Sequence, residues 1–136
     1  MTKNDLVTIR PMKESDKNFI YSTFLIGLFY GNSWFNLIDK DTFMHNYHKI
    51  LDILLSNPDT VVKTACLKDD ADTIVGYSIE KVDKSVVHWC FVKKAWRGIG
   101  IANSLVSHEA KITTHMTKAG IAICSKKKIA FNPFVL

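Results

Sequence analysis

Hydrophobic and polar positions along this chain switch between two spacings. Leu6 to Arg10 (LVTIR) is short and β-rich, and Pro11 closes it, so the chain opens on a strand. Glu14-Ser15-Asp16 then offers a helix cap. Apolar residues recur at Phe19, Ile20, Phe24 and Leu28, which predicts a helix from about Lys17 to Tyr30. Gly31-Asn32-Ser33 breaks that pattern. Asp39 to Asp41 can cap a second helix, Thr42 to about Leu55, with Phe43, Tyr47, Ile50 and Leu54 on one face. Asn57-Pro58-Asp59 ends it.

Three strand patterns follow. Val61 to Lys68 is β-branched and apolar-rich. Asp69 to Asp72 turns, and Ile74 to Val82 (IVGYSIEKV) is its hairpin partner. Asp83-Lys84 turns again before a third run, Ser85 to Val92. Connections this short make antiparallel neighbours. Farther on, Ile101, Leu105, Ile112 and Met116 share one helical face. Their spacing predicts a long helix from about Gly100 to Lys118, with Gly120 as its stop. Ile121 to Cys124 is a short strand candidate, and Lys126-Lys127-Lys128 is a charged turn or a contact for nucleic acid or phosphate.

Composition narrows the partners. The 136 residues fit a single domain, 1–136. A formal charge of +5 favours acidic partners: phosphorylated ligands, nucleic acid or an anionic surface. Cys66, Cys90 and Cys124 are odd in number, lack CxxC spacing and sit in apolar runs, as buried reduced thiols do inside cells. The N-terminus has no apolar signal core, and Phe19 to Tyr30 is too short and interrupted for a membrane span. A cytoplasmic protein without a membrane anchor is the expectation.

The segment KKAWRGIGIANSLV carries the candidate chemistry. Gly98 and Gly100 stand one residue apart beside Arg97, between a strand and a helix. Glycine lets the backbone turn sharply and a ligand come close. The first N–H groups of a helix lack internal partners and attract anions. The segment is therefore either a tight turn or an anion cradle. Asn103 stands where a dinucleotide fingerprint needs its third glycine, and the GK[ST] ending of a P-loop is missing.

Four features in order resemble the GNAT superfamily of N-acetyltransferases, which use acetyl-coenzyme A. Thr8-Ile9-Arg10-Pro11 with Asp16 is similar to the family's opening strand and helix cap. Asp72 to Tyr77 (DTIVGY) is similar to its first hairpin, and Val86 to Val92 to its fourth strand. Arg97-Gly98-Ile99-Gly100-Ile101-Ala102 fits its Q/R-x-x-G-x-G/A pyrophosphate motif. The resemblance covers residues 7 to 124 and includes a shortened C-terminus. It implies an α/β (α+β) fold, a mixed, mostly antiparallel sheet with helices on both faces. It also implies acetyl-CoA as cofactor. Main-chain groups at Cys90 and Val92 would hold the pantetheine arm, and N–H groups of Arg97, Gly98, Ile99, Gly100, Ile101 and Ala102 the pyrophosphate.

Acyl transfer to an amine needs a base for the amine proton and a donor for the oxyanion. In such enzymes the base often lies on the fourth strand, where His88 stands. Its imidazole is a usable base near neutrality. The plain alternative is a strand histidine satisfied by its neighbours. Glu80 is a weaker rival, expected to be a solvated strand residue. The tyrosine that usually serves as general acid has no counterpart after Cys124. Cys124 and Ser125 are possible in its place, beside the simpler reading of a buried thiol and a turn hydroxyl. Tyr30, Trp34 and Phe35 either border an acceptor pocket or end in the core. His45 and His48 lack further ligands, so no metal is expected, and His108 and His115 are expected at the surface.

The first expectation is thus an acetyl-CoA-dependent N-acyltransferase acting by direct transfer on a small-molecule or protein amine. The alternative is an inactive binding or assembly module on the same fold, associated with nucleic acid or a host protein. Modification of a nucleobase is a third reading. An open sheet edge would favour a homodimer.

Overall fold

The computed structural model describes residues 2–135, without the side chain of Ala122. Strand β1 (Val7–Pro11) is followed by helices α1 (Lys17–Tyr30) and α2 (Lys40–Ser56). Strands β2 (Thr60–Leu67), β3 (Asp70–Lys81) and β4 (Val86–Val92) come next, then a short α3 (Ile101–Leu105). Strand β5 (Ile112–Thr113), helix α4 (Lys118–Lys127) and strand β6 (Ala130–Phe131) complete the order. Among the described residues these strands form one sheet in the order β1-β2-β3-β4-β5-β6. The first four are antiparallel neighbours, as the short turns require. β5 runs parallel to β4, and β6 parallel to β5. The expected mixed, mostly antiparallel fold class is the one found.

Each face of the sheet buries its own cluster. Tyr77, Ile79 and Trp89 pack beneath α1 and α2, against Ile20, Phe24 and Leu51. On the other face Ala65, Val75 and Val92 pack against Ile101 and Leu105 of α3. Alternation along β3 sends Val75 to one side and Tyr77 and Ile79 to the other. The Asp39 carboxylate accepts from the Thr42 N–H at 3.1 Å and fixes the start of α2.

An ion pair ties the first strand to the first helix. Arg10 reaches Asp16 with two parallel bonds of 2.7 and 3.0 Å, and donates to the Ala71 carbonyl at 2.7 Å. Asp16 also accepts from the Lys13 N–H at 2.7 Å. Its carboxylate is committed to these partners and makes no cap bond to α1. Burial alone would raise its pKa, but the Arg10 guanidinium and the Lys13 N–H together hold it below the ordinary value.

The second half of the chain departs from the spacing-based expectation in two places. The long helix over Gly100 to Lys118 stops at Leu105. A continuing helix would use the Leu105 carbonyl and the Ser107 N–H internally. Instead Ser78 Oγ donates to the Leu105 carbonyl at 3.1 Å, and the Ser107 N–H donates to Glu80 Oε2 at 3.2 Å. The sheet takes both groups, and Ile112 goes on to pair with Val86. The strand over Ile121 to Cys124 is helical. Thr117 accepts from the Gly120 N–H at 3.1 Å and starts α4, so Gly120 lies near the beginning of a helix rather than at the end of one.

Removing one partner of the Arg10–Asp16 pair leaves a buried charge. Asp16→Ala is expected to lower the unfolding free energy by about 3–5 kcal/mol at neutral pH. The stabilisation is complete above the unfolded carboxylate pKa of about 3.9 and is lost as pH falls towards the lower folded value. Urea titrations at stepped pH should show wild type and variant converging in acid. A constant gap would contradict the ionic origin.

Candidate functional site

β4 and β5 pair over two residues, Val86 with Ile112 and Val87 with Thr113. The Thr114 N–H still donates to the Val87 carbonyl at 3.3 Å. Past that point no residue of β5 is in register with β4. On the other side of β4 the register passes from Ile79–Trp89 to Glu80–Val87. His88 is the extra residue of a β-bulge, which bends and twists its strand. The strands part at this residue.

Register also decides where the main-chain groups of β4 point. The Lys93 N–H donates to the Val75 carbonyl at 2.8 Å. In an antiparallel ladder that parity turns Phe91 towards Tyr77 and turns the N–H and C=O groups of Cys90 and Val92 towards the opening. Arg97 Nε donates to the Val92 carbonyl at 2.8 Å, so one of these groups already has a partner. Sequence spacing gave no sign of that bond.

Gly98 and Gly100 lie after β4 with φ of +80° and +89°, a conformation that glycine adopts without strain. A Cβ built at either position meets nothing within 4 Å, so the backbone borders open space. Among the described residues, the N–H groups from Gly98 to Ala102 have no recorded acceptor. A cleft of about 330 Å³ lies between α3 and the end of α4, lined by Asn103, Ser107, His108 and Lys127 among others. Lys127 Nζ bridges it to Asn103 Oδ1 at 2.5 Å. A larger depression of about 550 Å³ sits at the end of α2, around Ile53 and Pro58, and its lining includes none of the candidate catalytic, cofactor or acceptor residues.

His88 is 2% exposed. Its Nδ1 lies 2.9 Å from Thr114 Oγ1, which lies 2.9 Å from His115 Nδ1. His115, expected at the surface, is half-buried between the sheet and the helices. Its ring centroid is 5.4 Å from that of Phe24 and 6.1 Å from that of Tyr47. Burial pushes the His115 pKa down to about 4; nearby His88 pushes the same way, and a hydrogen bond to the His88 main chain opposes them. Burial, with a smaller push from Lys81, also lowers that of His88. Both imidazoles are therefore neutral at neutral pH.

Glu80 corrects another expectation. It is 2% exposed, and Lys63 Nζ lies 3.0 Å from its Oε1. With the Ser107 N–H on its other oxygen, it is a structural anion beneath the end of α3. Burial pushes the Cys90 thiol up to about 12, helped by Glu80. Burial likewise raises Cys124. Neither thiol is activated as a nucleophile.

The aromatic loop after α1 divides. Tyr30 and Trp34 are 58% and 72% exposed. Phe35 packs on Phe43 and Tyr47, with ring centroids 5.2 and 5.6 Å apart. The loop is fastened to the connection between β5 and α4. The Lys118 N–H donates to the Gly31 carbonyl at 2.9 Å, and Asn32 Nδ2 donates to the Met116 carbonyl at 3.3 Å. A Cβ at Gly31 would lie 2.4 Å from the Gly27 carbonyl oxygen and 2.9 Å from Thr117 Cγ2. Tyr47 links Phe35 to His115, so the loop and the histidine pair border one region.

A scan against protein-family models gives no match, and no curated protein sequence matches the chain. Solved structures do. A candidate acetyl transferase from Pyrococcus furiosus aligns with a TM-score of 0.61 at 14% identity, over 96% of this chain and 97% of that one. A candidate acetyltransferase from Clostridium difficile gives 0.51 at 17% identity, over 93% and 76%. One from Salmonella typhimurium, solved with its cofactor acetyl-CoA, gives 0.51 at 14% identity, over 89% and 75%. At such identities the likeness shows the fold alone, which this chain shares with those three structures. Among the described residues no helix is long and apolar enough to cross a membrane.

The neutral histidines make stability depend on pH. Their folded affinities lie below the unfolded value, so their contribution is complete above about pH 6.5. It is lost as pH falls, through about 4 for His115. Guanidinium titrations should show unfolding free energy declining across that window, and His115→Gln should remove part of the decline. A flat wild-type curve would contradict the burial of these rings.

Proposed function

We propose that this chain is an acetyl-CoA-dependent N-acyltransferase that transfers directly to an amine acceptor. The observation that carries the reading is the parted edge of β4 continuing into two left-handed glycines over open space. The residues present fit the cofactor. N–H groups from Gly98 through Ala102 would hold its pyrophosphate, beside the Arg97 side chain; the Arg97 N–H, expected to join them, donates to the Lys94 carbonyl at 3.3 Å and closes the preceding turn instead. The outward main-chain groups of Cys90 and Val92 would hold the arm as an added strand does. Bound acetyl-CoA supplies an activated acetyl thioester.

His88 is the proposed base. Its Nδ1 is engaged by Thr114, and Nε2 has no recorded partner among the described residues. A neutral imidazole can accept the proton that an amine must lose. The raised pKa of Cys90 argues against an acetyl-cysteine intermediate and for direct transfer. Tyr30, Trp34 and Phe35 are proposed to border the acceptor. The acceptor itself is an amine of a small molecule or a protein.

Titration with acetyl-CoA should raise the melting temperature. Gly100→Glu is expected to abolish that rise, because it puts bulk and negative charge over the cradle. Gly100→Ala carries the same backbone strain without the charge and separates misfolding from lost binding. Thiol release over a panel of amines should detect turnover, with His88→Gln slower by about 10²–10⁴-fold. No thermal shift would defeat the reading. A shift without turnover on any amine would favour a binding module.

A further inference from the structure

The glycine turn is pinned before and after it. Before it, Arg97 Nε donates to the Val92 carbonyl at 2.8 Å. Lys3 Nζ donates to the Ala95 carbonyl and stands 4.6 Å from the centre of the Trp96 ring. After it comes α3, which has only five residues. A helix that short does not hold itself in water, so its place depends on what grips it. Ile101 and Leu105 pack on Ala65, Val75 and Val92. Apolar packing is non-directional and leaves sliding and rotation open. The directional contacts come from β3.

Ser78 and Glu80 stand two apart on β3, and both are buried. Ser78 Oγ donates to the Leu105 carbonyl at 3.1 Å; Glu80 Oε1, the other acceptor near that hydroxyl, is farther at 3.4 Å. Glu80 Oε2 accepts from the Ser107 N–H at 3.2 Å, and Lys63 Nζ of β2 lies 3.0 Å from Oε1. Among the described residues no main-chain partner is recorded for the Leu105 carbonyl or the Ser107 N–H. Two side chains of one strand thus take up the groups at which α3 ends. A plain helix stop needs no buried charge, since a glycine can supply it. A buried ion pair also adds little net stability over apolar residues of similar size. What the Lys63–Glu80 pair adds is direction: it holds the carboxylate so that its second oxygen meets Ser107.

We propose that Ser78 and Glu80 are positioning residues for the glycine turn. They fix α3 at its far end, about 7.5 Å from the turn, and so hold the N–H groups of Gly98 to Ala102 in place for an anion. Lys63 orients Glu80. None of the three side chains need touch the ligand. The inference deepens the acyl-transfer reading and rests on it for the identity of that anion, the cofactor's pyrophosphate.

Calorimetric titration with acetyl-CoA tests it, beside amide NMR of the ligand-free protein. Ser78→Ala and Glu80→Met should each raise Kd about 10-fold and shift the Gly98 and Gly100 amide resonances. Glu80→Gln keeps an acceptor for the Ser107 N–H and should stay within about 3-fold of wild type. Leu51→Val, which loosens the core beneath α2, should lower the melting temperature and leave Kd and both resonances unchanged. In turnover, Ser78→Ala should raise KM for acetyl-CoA and spare kcat. Lower melting temperatures with unchanged Kd in Ser78→Ala and Glu80→Met overturn the proposal and leave both residues a merely structural role. Equal weakening of binding by Leu51→Val overturns it too. If Glu80→Met does not fold, Ser78→Ala decides. If wild type does not bind acetyl-CoA, the acyl-transfer reading falls and the resonances decide the positioning. Shifted glycine amides in Ser78→Ala then support it, and unshifted ones overturn it.

Discussion

One extra residue in β4 parts two strands that would otherwise run side by side. The bulge at His88 shifts the register against β3, and β5 leaves the ladder at Thr113. From there the outward main-chain groups of β4 lose their strand neighbour. Unpaired main-chain polar groups are costly when dry, so they need water, ligand or side chain. Arg97 already meets one such need at the Val92 carbonyl. The proposed cofactor arm would meet the others, and the glycine turn continues the same row of donors.

The local signals in the first half of the chain are strong, and its elements were legible. The helix from Lys17 to Tyr30 has the predicted ends, and Asp39 caps the second helix as its position suggests. Strong turn residues fixed the order of β2, β3 and β4. After Gly100 the local signals compete with the sheet. Ile101, Leu105, Ile112 and Met116 have helical spacing, yet Ser78 and Glu80 reach up from β3 to end the helix. A four-residue apolar run such as Ile121 to Cys124 does not distinguish strand from helix by itself. The cap at Thr117 decides it.

The candidate site divides in the same way. Gly98, Gly100 and Arg97 stood out because they are local to one turn. His88 stood out by its place on a strand. Thr114 and His115 did not, because 26 residues separate Thr114 from His88 and only the fold joins them. Glu80 looked like an ordinary exposed strand residue, and its burial depends on Lys63 from the neighbouring strand. Polar residues whose partners are distant in sequence are those that pattern alone misplaces.

The contact at Gly31 has a consequence for how this protein could be reshaped. The end of α1 touches the start of α4 with no room for even a methyl group. Widening the aromatic loop to admit a bulkier guest would therefore lever α4 outward, and the Lys127 bridge at its far end would move with it. Evolution or engineering of one mouth of the molecule must re-tailor the opposite one in the same stroke.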